Sequence, residues 1–96
     1  MMVPTVHLNG TSKSELRDQL SGVTQALDST LQALMRAAPN GRDYYPQGPD
    51  ALDAALAEHK GRVQMLRALM NEVVEIATKV EEQDAQVGCR DEPQAT

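Results

Sequence analysis

Nine positions between Leu52 and Val80 recur at alternating steps of four and three residues: Leu52, Leu56, His59, Val63, Leu66, Met70, Val73, Ala77 and Val80. All but His59 are apolar. An unbroken alternation of this kind puts every member on one stripe of an α-helix, and a strand, with its period of two, cannot reproduce it. The chain is thereby committed to a long helix that must bury one face. A second apolar row, Met65, Leu69 and Ile76, widens that face beyond what a single neighbouring helix covers.

The first candidate neighbour lies upstream. Ser12-Lys13-Ser14-Glu15 has the form of a capping box, in which the serine hydroxyl takes a free amide of the first turn and the glutamate reaches back. Apolar residues then follow at Leu16, Leu20, Val23, Leu27, Leu31, Leu34 and Ala38, again at helical spacing. Pro39-Asn40-Gly41 ends this pattern, and Pro49 stands where a first helical turn tolerates proline. These signals predict an all-α fold: an antiparallel two-helix hairpin, with helices over about 12–38 and 49–83 and a loop over 39–49. The helices would be about 40 and 50 Å long, so the second outreaches the first by roughly 10 Å. Gly22, in mid-helix at a cost of up to ~1 kcal/mol, predicts close approach of a neighbouring helix.

Two flanking segments complete the chain. Residues 1–11 read as an extended arm, because Pro4 disfavours helix at Val3 and Asn9-Gly10 is a turn signal. Val3, Val6 and Leu8 are apolar enough to dock it on something. Residues 84–96, polar and interrupted by Gly88 and Pro93, read as a disordered acidic tail.

Composition narrows the function classes. The chain has no Phe or Trp, so its core must come from Leu, Val, Ala and Met. A domain of this size buries a modest share of its surface, which predicts a helical homo-oligomer. The net charge is −5, and Glu81, Glu82, Asp84, Asp91 and Glu92 against the single Arg90 account for most of it. Without a basic face, duplex nucleic acid is not an expected partner. No apolar run is long enough to cross a bilayer, and the first residues lack the apolar centre of a signal sequence. The expected location is cytoplasmic, with no membrane partner. His7 and His59 do not form a metal-ligand spacing, and His59 falls on the apolar stripe. No metal or cofactor is expected. Nor does any nucleophile elbow, phosphate loop or paired-carboxylate arrangement point to catalysis. The chain does not read as an enzyme and offers no catalytic residue.

The candidate binding residues gather in two places. The loop carries Arg42, Asp43, Tyr44, Tyr45 and Gln47 among glycines and prolines, and its tyrosines are the only aromatic residues in the chain. One ring of an adjacent pair can plug the end of the hairpin while the other stacks on a planar ligand. Arg42 supplies a planar anion donor, Asp43 an acceptor for ribose hydroxyls and Gln47 a reader of base edges, although Arg42 and Asp43 can equally form a local ion pair and turn cap. The second group is His7, Asn9 and Thr11, at the amino end of the first helix, where free amides favour an anion. Two hairpins packed head to tail would bring one copy's His7–Thr11 turn beside the other's loop.

The leader Pro4-Thr5-Val6-His7-Leu8-Asn9-Gly10-Thr11-Ser12 and the loop Asn40-Gly41-Arg42-Asp43-Tyr44-Tyr45-Pro46-Gln47-Gly48 resemble the two signature segments of a family of small phage and prophage proteins. The resemblance spans residues 3–80 and implies a phage origin, hence the host cytoplasm, but no settled activity. In size and helical make-up the chain is also similar to phage sponges that sequester cyclic-nucleotide signals of host immunity. The leading expectation is a non-enzymatic binder of a small anionic, nucleotide-like ligand, of the cyclic-nucleotide or ADP-ribose type. The alternative is a phage helical adaptor or structural protein whose tyrosine loop docks on another protein.

Overall fold

The computed structural model describes the backbone of residues 1–91 and side chains as far as Gln83. The described residues are all-α: α1 spans Lys13–Arg36, α2 Gly41–Tyr44 and α3 Ala51–Asp91, with a 3-10 turn at Tyr45–Gln47 between α2 and α3. Two compact units share the two long helices. One comprises Met1–Gln25 and the chain from Asn71 onward, the other Ala26–Met70.

In the first unit, the start of α1 lies against the late turns of α3. Ser12 begins α1 as its sequence suggests, the hydroxyl accepting the Glu15 N–H at 3.1 Å. The same hydroxyl lies 3.1 Å from Glu15 Oε1, to which it donates. Lys13 Nζ and Arg17 Nη1 then converge on the Glu81 carboxylate at 2.8 and 3.0 Å. Val80 is 1% exposed and Val73 9%, and both come from the 4-3 stripe of α3. The arm meets α3 through Gln83, whose Oε1 accepts the Val6 N–H at 2.9 Å while its Nε2 donates to the Pro4 carbonyl at 2.8 Å. In an extended chain these two backbone groups face the same way, so one side-chain amide serves both, as a neighbouring strand would. Val3 and Val6 are half-buried, whereas Leu8 is 98% exposed.

In the second unit, the late turns of α1 lie against the early turns of α3, with Arg67 Nη2 4.0 Å from Met35 Sδ. Leu31 is its buried residue, at 8% exposure, and Leu27, Leu34, His59, Val63 and Leu66 are half-buried. In each unit the two helices are in contact, through Arg17 and Glu81 in one and Met35 and Arg67 in the other.

Several expected details differ. Helix α1 ends at Arg36, two residues short of Ala38, because Pro39 restricts the backbone of the residue before it. The last turn tightens instead, with Ala37 N–H donating to the Ala33 and Leu34 carbonyls and Ala38 N–H to that of Met35. Val23 is left 45% exposed, and Thr24 takes the half-buried place. Thr24 tolerates it because its hydroxyl donates to the Leu20 carbonyl at 2.9 Å. Leu56, at 40% exposure, also lies outside the enclosed stripe. The tail expected to be disordered from Asp84 instead continues α3 to Asp91. Polar residues such as Gln86 and Glu82 are sound helix formers, and Pro93 is the first residue that forbids continuation. Residues 92–96 lie outside the described residues.

Gly22 does not mark a close approach within the chain: a Cβ built there meets nothing within 4 Å. Gly22→Ala should therefore stabilise the protein by about 0.5–1 kcal/mol. For a chain of this size the corresponding rise in Tm is a few degrees. Thermal unfolding followed by circular dichroism checks this, and a lowered Tm would mean that another chain crosses α1 at Gly22.

Candidate functional site

The connector between α1 and α3 is a built loop. Asn40, in an extended conformation, caps α2: its Oδ1 accepts the Asp43 N–H at 3.2 Å and its Nδ2 donates to Asp43 Oδ2 at 2.9 Å. Tyr45 N–H closes α2 on the Gly41 carbonyl, and Pro46 stands in the first turn of the 3-10 segment. Gly48 ends that segment at φ +117°, where a side chain would be strained, and donates to the Tyr45 carbonyl at 3.2 Å. Ala51 N–H reaches the Gly48 carbonyl at 3.3 Å, which feeds the chain into α3. The Gly41 backbone sits 3.8 Å, measured from an added Cβ, from Leu52 Cδ2.

This scaffold separates the two tyrosines. Tyr44 is half-buried, whereas Tyr45 is 77% exposed. Arg42 and Gln47 are exposed, and neither makes an ion pair or hydrogen bond among the described residues. Asp43 is exposed, but one of its carboxylate oxygens is engaged by Asn40. The loop thus presents one aromatic ring, one guanidinium and one amide to the outside.

The second predicted group lies in the other unit. His7 C=O accepts the Gly10 N–H at 3.1 Å, closing the turn read from Asn9-Gly10. The His7 ring covers Gly10 so closely that a Cβ there would stand 2.7 Å from Nε2. Asn9 and Thr11 are exposed, but the amino end of α1 already carries its own acid, with Glu15 bonded to the capping Ser12 and Glu81 drawn to Lys13. His59 is half-buried on the α3 stripe, away from either predicted group in sequence.

The first unit also forms a shallow groove of about 320 Å³, lined by Arg17, Ser21 and Thr24 of α1 and Val74, Ala77, Thr78 and Glu81 of α3. It includes none of the predicted residues. Its signal is present in the sequence, since residues 17, 21 and 24 and residues 74, 78 and 81 are each spaced by four and three beside the apolar stripes. Most of the polar groups are satisfied internally. Thr78 Oγ1 donates to the Val74 carbonyl at 3.0 Å, Thr24 does likewise to Leu20, and Ser21 Oγ accepts from Gln25 Nε2 at 3.1 Å. Among the described residues no cluster of His, Cys, Asp and Glu has the make-up of a metal site, and no helix is long and apolar enough to cross a membrane.

Comparison of the chain with family models, with curated proteins and with solved structures returns no match.

Two outcomes test this geometry. Asn40→Ala removes both links to Asp43 and should cost about 1 kcal/mol in urea unfolding, with faster hydrogen exchange at the Asp43 and Tyr45 amides. At the other unit, the hydrogen bond from Lys13, with that from Arg17, holds the Glu81 carboxyl below its ordinary 4.5. A lowered folded-state pKa gives stability that is present above the ordinary value and lost as pH falls through the lowered one. Wild type should therefore lose stability more steeply than Glu81→Gln on acidification below about pH 4.5. Parallel curves would remove the ion pair from the account.

Proposed function

We propose that this is a non-enzymatic, phage-encoded helical adaptor whose tyrosine loop docks on another protein. The observation that carries the reading is Tyr45, 77% exposed on a loop fixed by the Asn40–Asp43 cap. Tyrosine and arginine dominate the energetics of protein interfaces because each combines a large flat contact area with a polar tip. A loop already fixed by its own hydrogen bonds has little conformational entropy left to lose on docking. Arg42, exposed in the same loop three residues before Tyr45, favours a partner surface that offers a carboxylate as well as an apolar contact. The phage origin rests on the resemblance of the leader and loop segments. Self-association of the helix pair belongs to the same reading, since Leu31, Val73 and Val80 are the core among the described residues, while Met65 and Leu69 stay exposed.

Sequestration of a nucleotide is less well supported. Small-molecule sites are concave and converge several polar groups on the ligand, whereas here Asp43 is engaged by Asn40 and the groove in the first unit has its hydroxyls tied to its own helices.

A photo-crosslinking amino acid in place of Tyr45 tests the reading in cells that contain the partner. A discrete protein adduct is expected, and Arg42→Ala should weaken partner binding about tenfold or more, as loss of an interface anchor does. In parallel, cyclic dinucleotides and cyclic ADP-ribose should leave the Tm unchanged. A ligand-dependent rise in Tm that Tyr45→Ala and Arg42→Ala abolish would overturn docking in favour of sequestration.

A further inference from the structure

We propose that α3 pairs with α3 of a second copy, antiparallel and related by a twofold axis level with Arg67, through the strip Glu58, Arg62, Met65, Leu69, Glu72 and Ile76. The inference rests on the self-association proposed above and specifies its surface. These six residues are separated by steps of four, three, four, three and four, so they form one stripe of α3. At its centre Met65 is 68% exposed and Leu69 47%. Neither is enclosed by the chain's own packing.

The charges select the occupant. A strip read against its own reverse, centred between Met65 and Leu69, sets Met65 opposite the partner's Leu69 and Arg62 opposite the partner's Glu72. The twofold axis repeats both contacts, giving four apolar side chains flanked by two identical Arg–Glu pairs, with Glu58 opposite the partner's Ile76 at each end. A parallel arrangement in register would instead set Arg62 against the partner's Arg62 and Glu72 against the partner's Glu72, so like charges exclude it. Both groups are available. Glu72 has no ion-pair or hydrogen-bond partner among the described residues, and Arg62 has only the exposed contact with Glu58 at 3.5 Å. The 4-3 steps are those by which antiparallel helices interlock at 8–10 Å between axes. A contact that matches itself under a twofold axis is the commonest route to a closed homodimer.

The test is a charge swap read by sedimentation equilibrium, with circular dichroism confirming that each chain remains helical. Wild type is expected to dimerise. Arg62→Glu alone and Glu72→Arg alone each create two like-charge contacts in their homodimers and should weaken association about tenfold. An equimolar mixture of the two single variants restores both ion pairs, and the heterodimer should associate as tightly as wild type. The double variant Arg62→Glu/Glu72→Arg should do the same. Dimers that ignore every swap would overturn this interface while leaving self-association standing. A wild-type monomer at all concentrations would overturn both.

Discussion

A pair of helices packs along a single line, so a side chain on either can be enclosed only where it points at that line. Leu31, Val73 and Val80 satisfy this condition fully, while their neighbours on the same stripes remain half-exposed. Isolated helices in water are marginal, and most of their stability in proteins comes from the packing of an apolar face. The thinness of the seam therefore explains much else in the molecule. It accounts for the heavy reliance on polar devices at helix ends, and for apolar side chains on α3 that the chain itself does not cover.

Those polar devices are arranged where chain ends would otherwise fray. Ser12 and Glu15 close the start of α1, Asn40 and Asp43 close the start of α2, and Gly48 passes the chain into α3. Lys13 and Arg17 draw the first turns of α1 onto Glu81. Exposed ion pairs contribute little individually, and here two cations of the first unit share one carboxylate. In the loop the same economy has a functional side. Once Asn40 holds Asp43 and Tyr44 is half-buried, Tyr45, Arg42 and Gln47 are what remains exposed.

The helices were legible in the sequence because a step pattern of four and three has one structural solution. Individual places on the stripe were not, since Val23 and Thr24 both fit a period of 3.6, and Thr24 satisfies its hydroxyl on the Leu20 carbonyl in the half-buried place. The end of α3 was obscured by composition: residues 84–91 lack an apolar stripe, which suggests a tail, but that does not oppose helix where no proline intervenes. At the loop, the turn chemistry was readable from Asn40-Gly41 and Gly48-Pro49, and the division of labour between Tyr44 and Tyr45 was not, because adjacent residues carry no periodic signal. The Gln83 contact with the arm was invisible for a different reason. Its partners lie 77 and 79 residues away, beyond any local pattern.

That separation orders events in time. Val6 and Pro4 precede Gln83, the residue whose side chain receives them, by 77 and 79 residues. At ordinary rates of synthesis, about 5–20 residues per second, several seconds separate the arm from the side chain that clasps it. Val3 and Val6, half-buried in the folded chain, lack the clasp beside them until Gln83 has been made. The clasp therefore closes only after α3 has been synthesised as far as Gln83.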